Sequence, residues 1–317
     1  MSLNARIFSS NKRTFDCLTA DGDIVSATAL AKLLKHEHLV VGDHVVLEAE
    51  GEGQWTITEA RERTSTIFRN IPREKTKKII AANVDKVLLV VSAELPAYKR
   101  GLVDRYLVRA HQWGLSTLLV FNKMDLFKGD FDIKFEAERV APLGVSAFEV
   151  CAENPDYRPR HLAHGFDELH AALEHSTAIL LGQSGVGKSR LITELSGGEV
   201  ELLSGEMGKV GKGMHTTTWA ELVDCGDFTL VDSPGVRSMS LSDLTEEELL
   251  SCFPDVAEGS VRCKFRNCGH DEHSKGCWFR AQNEEDHATR VILSRLETFQ
   301  RIRLEITQIP EWEKKSL

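Results

Sequence analysis

The segment Gly182-Gln183-Ser184-Gly185-Val186-Gly187-Lys188-Ser189 combines glycines, a lysine and a hydroxyl at a spacing suited to holding phosphate. Glycine lets backbone N–H groups wrap phosphate oxygens, and the dipole of a following helix adds to the attraction. Lys188 is placed to reach the β- and γ-phosphates and Ser189 to ligate Mg²⁺, with Arg190 flanking the loop as the helix begins. Well before this loop, Asn122-Lys123-Met124-Asp125 offers a carboxylate that can accept from both guanine N1–H and the 2-amino group. Adenine has neither donor, so Asp125 selects a guanine nucleotide. Asn122 steadies the loop or reaches the base edge, and the Lys123 stem covers the ring. In most GTP-binding proteins the guanine reader follows the phosphate loop; here it precedes it, which implies a circularly permuted unit.

Three further elements complete such a site. A short segment usually touches the base from a third side; Ser146-Ala147 is one match and Cys151-Ala152-Glu153, at the end of a predicted strand Phe148–Cys151, is the preferred one. Asp232-Ser233-Pro234-Gly235 follows a predicted strand Phe228–Val231, with Asp232 facing Mg²⁺ through water and the Gly235 N–H facing the γ-phosphate. Between the phosphate loop and this turn, the glycine-rich stretch Gly208–Thr218 ends in His215-Thr216-Thr217-Thr218. A threonine that must reach Mg²⁺ only when the γ-phosphate is present belongs in such a switch; Thr217 is the first candidate and Thr216 the second. Val236 stands where other GTPases carry a water-orienting glutamine. Valine cannot polarise water, so hydrolysis needs another group. His215 is the candidate, and packing against the loop is its alternative role.

The pattern Cys263-x4-Cys268-x-His270-x6-Cys277 supplies three thiolates and an imidazole, the donor set of a closed tetrahedral structural zinc site. His273 is a rival for His270. Zinc here would staple a loop-rich module too small to bury an adequate core. Arg262, Lys264, Arg266, Lys275 and Arg280 surround it with positive charge, opposed by Asp271 and Glu272. That face suits RNA phosphates or plain solvent equally.

These residues need elements to position them. The first 66 residues carry five short strand signals, at Arg6-Ile7-Phe8, Phe15–Leu18, Asp23–Val25, Asp43–Leu47 and Trp55-Thr56-Ile57, which predict a small barrel of the OB type. From Asp85, buried strands (Lys86–Val91, Ser116–Phe121, Phe148–Cys151, Thr177–Leu181) alternate with helices (Leu102–Trp113, Phe131–Ala141, Phe166–Leu173, Leu191–Leu195), predicting a mostly parallel sheet covered on both faces. After Pro234 helices return at Glu246–Cys252 and Glu284–Ile309. The fold class is therefore multi-domain α/β, in three domains: an OB-like barrel over 1–66, a permuted GTPase unit over 67–240 and a helical zinc-binding domain over 241–317.

Composition agrees: 317 residues, 42% hydrophobic and 27% charged, exceed one ordinary core, and no apolar run is long enough for a bilayer. Seven cysteines, three crowded into one window, favour metal over disulfides and a reducing, cytoplasmic setting. No secretory leader is read at Met1–Arg6. The net charge of −9 disfavours nucleic-acid binding in bulk but leaves local patches open.

Together these pieces resemble the RsgA family of small ribosomal subunit biogenesis GTPases. The likeness runs through Gly42-Asp43, Ala81–Asp85, Asn122–Asp125, Gly182–Ser189, Gly213-x-His215-Thr216-Thr217-Thr218, Asp232–Gly235 and the Cys263, Cys268 and His270 spacing. Cys277 comes one residue later than that family's pattern, and Asn154–Gly165 is longer. The resemblance implies a GTP hydrolase that binds the small ribosomal subunit and its rRNA late in maturation, is accelerated by it, and works as a cytoplasmic monomer with GTP or GDP, Mg²⁺ and one structural Zn²⁺. Because the chain runs from Asp232–Gly235 straight into the zinc domain, γ-phosphate loss is expected to shift that domain. The competing readings are an RNA-binding module that scarcely hydrolyses its GTP, and an ATP-using enzyme, which Asp125 disfavours.

Overall fold

The computed structural model describes residues 2–11, 14–36, 38–51, 53–71, 76–198, 220–232 and 240–307. Strands β1 (Ser2–Asn11), β2 (Thr14–Thr19), β3 (Ile24–Ala29), β4 (His44–Ala49) and β5 (Trp55–Ala60) close into a barrel in the order β1-β2-β3-β5-β4. Alternation drives it: Ala5 and Ile7, Phe15 and Cys17, and Val45 and Leu47 point inward two residues apart and meet Ile57 in a dry core. β3 and β5 pair parallel, so the chain crosses between them through helix α1 (Ala31–His36) and β4. This is the expected five-stranded barrel.

A hairpin absent from the sequence reading, β6 (Thr66–Ile71) with β7 (Thr76–Ala82), joins the barrel to the rest. Its seam explains two sequence features. Gly42 has φ +91°, and a Cβ there would fall 2.1 Å from the Ala82 carbonyl oxygen. Asn83 donates to the Gly42 carbonyl at 2.9 Å and accepts from the Thr64 N–H at 2.9 Å. Asp43, buried, accepts from the Arg63 guanidinium at 2.7 and 2.8 Å and from the Val40 N–H at 2.9 Å.

The central sheet contains β8 (Lys86–Ser92), β9 (Ser116–Asn122), β10 (Ser146–Glu149), β11 (Thr177–Leu181), β12 (Glu221–Asp224) and β13 (Thr229–Asp232), ordered β10-β9-β8-β11-β13-β12. All pairs are parallel except the β12–β13 edge. Residues of β8 alternate between two cores. Val87, Leu89 and Val91 face α2 (Arg100–Gln112) and α3 (Ile133–Val140), while Leu88 and Val90 face α4 (Phe166–Leu173) and α5 (Lys188–Leu195). Two-sided burial is why these strands read as unbroken apolar runs. The chain adds β9 and β10 on one side of β8, then returns to place β11 on the other. Strand order thus reverses at β8/β11, where an open α/β sheet leaves a crevice at its carboxyl edge.

Two strands of the sheet differ from expectation: the edge strand β12 is absent from the sequence reading, and β10 is displaced. β10 ends at Glu149 rather than Cys151, so Ser146 and Ala147 lie inside the strand while Cys151 and Ala152 follow it. After Leu241, α6 (Glu246–Ser251), α7 (Pro254–Ser260) and α8 (His287–Thr307) pack around Phe253, Phe279, Phe299 and Ile302, together with Val108 of α2. Thr245 and Glu248 cap α6 reciprocally. Among the described residues no helix is long and apolar enough to cross a membrane.

Candidate nucleotide site and metal centre

The loop Gly182–Gly187 leaves β11 at the reversal point and enters α5. Gly187 has φ +93°, and a Cβ on it would lie 2.5 Å from the Asn122 side-chain nitrogen, so glycine is required where loop and reader meet. The first helical bond runs from the Leu191 N–H to the Gly187 carbonyl at 2.9 Å. Amides of the preceding turn therefore have no intrahelical acceptor, which suits them as anion donors. Lys188 folds its ammonium over the loop, donating to the Gly182 and Gln183 carbonyls at 2.9 and 3.0 Å.

Asn122 joins three segments that are remote in sequence. Buried at the end of β9, it donates from Nδ2 to the Val186 carbonyl at 2.9 Å and accepts at Oδ1 from the Ala152 N–H at 3.0 Å. Lys123 adopts φ +61° and reaches the Gly185 carbonyl at 2.5 Å and the Leu95 carbonyl at 3.1 Å. Asp125 sits in a single tight turn, Met124–Leu126, with its side chain exposed. The Cys151 thiol donates to its Oδ1 at 3.1 Å. Burial and the Asp125 carboxylate both raise the Cys151 pKa, which keeps the thiol protonated and a donor.

The structure brings together the phosphate loop, Asn122–Asp125 and Cys151-Ala152. Ser146-Ala147 stays on β10. Met124 and Val186 are buried, and their side chains serve the cores. Ser184 is exposed, and Arg190 turns sideways to Glu153 at 3.6 Å and Glu194 at 3.7 Å. Asp232 ends β13 opposite Leu180, one step from the loop. Gly235, Val236, His215, Thr216 and Thr217 lie outside the described residues.

Glu149 was missed by sequence reasoning, although an acid ending an apolar strand is a usable signal. Fully buried, it accepts from the Tyr157 hydroxyl at 2.5 Å and from the N–H groups of Arg160, His161 and Leu162 at 3.1, 2.7 and 2.8 Å. It thereby folds the loop after Ala152 back onto the sheet. Burial raises its pKa, but Tyr157 and the three amides outweigh burial and hold it below the ordinary carboxylate value. A depressed native pKa stabilises the fold above the unfolded-state value, and that gain is lost as pH falls through the native value. Glu149→Gln is expected to cost about 1–3 kcal/mol at neutral pH. The gap from the native chain should close on acidification; urea unfolding of both across pH checks this, and a pH-independent gap would refute it.

In the C-terminal unit, ligand atoms of Cys263, Cys268, His270 and Cys277 all lie within 4.8 Å of one another. His273 is exposed, its backbone N–H bound to Asp271 at 2.9 Å. His270 aims Nδ1 at the Cys263 and Cys277 sulfurs, each at 3.6 Å, and sets Nε2 3.1 Å from the Ser260 hydroxyl oxygen. The Ser260 hydroxyl donates to the Val256 carbonyl at 2.7 Å, so its oxygen accepts from Nε2–H. That tautomer leaves the Nδ1 lone pair free for a metal. Burial, with Arg303 and Arg280, lowers the His270 pKa against Asp271, keeping the ring neutral. The Trp278 N–H points at the Cys263 sulfur at 3.3 Å. Three thiols and a neutral imidazole converging in this way fit one tetrahedral Zn²⁺. Ser260 lies on α7, a helix the sequence announces only through Pro254 at its first turn.

A parallel sheet carrying a phosphate loop at its reversal point, with a guanine reader from an earlier strand, defines a circularly permuted phosphate-loop GTPase. Comparison with known proteins gives the particular family. The family model described as RsgA GTPase matches residues 60–242. The small ribosomal subunit biogenesis GTPase RsgA of Phocaeicola vulgatus is 33% identical over 274 residues, covering 84% of this chain and 85% of its own. The protein of the same name from Alcanivorax borkumensis is 37% identical over 245 residues, covering 76% of this chain and 66% of its own. Among solved structures, YjeQ from Thermotoga maritima superposes with a TM-score of 0.72 at 24% identity, over 98% of this chain and all of that one. YloQ, described as a circularly permuted GTPase, gives 0.71 at 25% identity, over 98% and 96%. The chain belongs to the RsgA GTPase family.

Proposed function

We propose that this chain hydrolyses GTP in the service of small ribosomal subunit assembly, binding the subunit and its rRNA in the cytoplasm as a monomer. The observation that carries the nucleotide half is the Asn122 side chain, which ties phosphate loop, reader and Cys151-Ala152 into one pocket edge. The names of the curated relatives support the ribosomal half.

In this reading Asp125 selects guanine, Lys123 covers the base, and the Gly182–Ser189 amides with Lys188 hold the phosphates. Ser189, Thr217 and Asp232 hold Mg²⁺, the Gly235 N–H meets the γ-phosphate, and His215 orients water in place of the glutamine that Val236 replaces. Residues 1–66 and 241–317 flank the GTPase unit, 67–240, as RNA-holding modules, the latter stapled by Zn²⁺ on Cys263, Cys268, His270 and Cys277.

Phosphate release measured against small-subunit concentration tests this. The native chain is expected to be slow alone and accelerated by the subunit. His215→Ala should lose about 10²-fold of the stimulated rate, the usual scale for a positioned acid–base group, with GDP affinity unchanged. A rate indifferent to subunits would overturn the ribosomal role, and full stimulation of His215→Ala would remove His215 from the chemistry.

A further inference from the structure

Between the phosphate loop and the C-terminal helices lies a chain of buried charges that nucleotide chemistry does not use. It starts at Tyr98, in the loop from β8 to α2. That loop lies against the phosphate loop: Lys123 bridges the Leu95 and Gly185 carbonyls, and Pro96, Ala97 and Tyr98 share a crevice with Gly182, Gln183 and Val186. The Tyr98 hydroxyl donates to Glu136 of α3 at 3.1 Å, and Glu136 also accepts from Arg100 at 2.9 Å. Arg139 of α3, fully buried, links Glu136 at 3.0 Å to Asp104 of α2 at 2.7 Å. Asp104 then accepts from Thr298 of α8 at 2.7 Å and faces Arg295 of α8 at 3.6 Å, and Arg295 meets Asp255 of α7 at 3.3 Å.

The contacts are unequal. On the α2–α3 side Arg139 is hydrogen-bonded at 2.7 and 3.0 Å, with Nη1 alone lacking a partner among the described residues, and Thr298 of α8 bonds Asp104 as closely, at 2.7 Å. At α8, both terminal nitrogens of Arg295 lack a hydrogen-bond partner among the described residues, and its guanidinium rests 4.3 Å from the Phe253 ring centre. Buried charges resist being left unpaired, so such a set changes by exchanging partners between discrete arrangements, and the loosest contact gives way first.

We infer that this network is a two-position link through which the C-terminal helices set the affinity of the nucleotide loop, with Arg295 as the movable joint. The link rests on the proposed guanine nucleotide at Gly182–Ser189. It also makes nucleotide and C-terminal helices mutually dependent, because coupling between two binding-competent states is reciprocal.

The test uses two mild variants of the full chain, Tyr98→Phe and Thr298→Val, each removing one hydroxyl from opposite ends while leaving every charge in place. Fluorescent GDP affinity is measured for the native chain, both singles and the double. Thr298→Val, remote from the loop, is expected to change affinity by about fivefold or more, the lower range of allosteric coupling, and the double to change it no further than Tyr98→Phe alone. Addition of GDP should alter amide exchange in 287–307 of the native chain but not of Tyr98→Phe. A merely structural Thr298 would lower thermal stability and leave GDP affinity alone. Unchanged affinity in Thr298→Val, independent effects in the double, or GDP-indifferent exchange in the native chain would each overturn the link while leaving the nucleotide site intact. Failure of the native chain to bind GDP would overturn the site and the link together.

Discussion

Asp125→Asn is expected to weaken GDP and GTP binding by about 10²- to 10³-fold and to bring xanthosine diphosphate into the affinity range that GDP loses. A carboxylate accepts from both guanine donors, and hydrogen bonds to a charged group contribute about 1.5–3 kcal/mol each. Every 1.4 kcal/mol is tenfold in affinity. The amide of asparagine has one acceptor oxygen in place of two and presents an N–H to guanine's amino group; xanthine offers a carbonyl there instead. The fold should be indifferent, since the Asp125 side chain is exposed. The Cys151 thiol sharpens the expectation. It holds Oδ1 at 3.1 Å and stays protonated because burial and Asp125 raise its pKa, so the reading carboxylate is fixed before any base arrives. Calorimetry with GDP and xanthosine diphosphate on both proteins decides the matter, and undiminished guanine affinity in the variant would remove Asp125 from the base contact.

Why the nucleotide site was legible in the sequence follows from its chemistry. Glycines that admit phosphates, a lysine, a hydroxyl and an acid that reads guanine all act through local backbone geometry, so spacing along the chain carries their meaning. The strands around them were legible because burial on both faces leaves continuous apolar runs. Features that depend on distant partners were not. The β6–β7 hairpin is interrupted by Arg69, Lys77 and Lys78 and is held by Asn83 and Gly42, neither of which announces a strand. The end of β10 shifted from Cys151 to Glu149 because a buried carboxylate gathers the following loop, a choice invisible to a propensity reading that favours Val150. Ser260 escaped notice because its role exists only once His270 is folded beside it. The Arg139–Asp104–Arg295 chain spans three helices, and each member alone reads as an ordinary surface charge.

Stripping zinc should have the largest effect on the C-terminal unit, collapsing the structure between α7 and α8. The described segment from Val261 to Asp286 holds one short turn of helix, Phe279–Ala281, and leaves Val261 82% and Phe265 48% exposed. Only His270, Cys277 and Phe279 of the segment are buried, too little to hold it in one conformation against about 1–2 kcal/mol of backbone entropy per residue. A structural zinc contributes about 10–16 kcal/mol on binding, comparable to the whole stability of a domain. Held by Cys263, Cys268, His270 and Cys277, it would tie the two ends of the loop to its middle, where the Gln300 amide of α8 reaches the His270 carbonyl at 2.9 Å. Metal analysis of the native protein should find one zinc per chain. Cys268→Ser and His270→Ala should lose most of it, whereas His273→Ala should retain it, because that imidazole stands outside the cluster. Binding needs deprotonated thiols, so zinc should leave as pH falls. Chelation should be followed by faster amide exchange across 261–286 and exposure of Trp278. A metal-free chain with native exchange there would show that apolar packing alone suffices, and the staple would have to be abandoned.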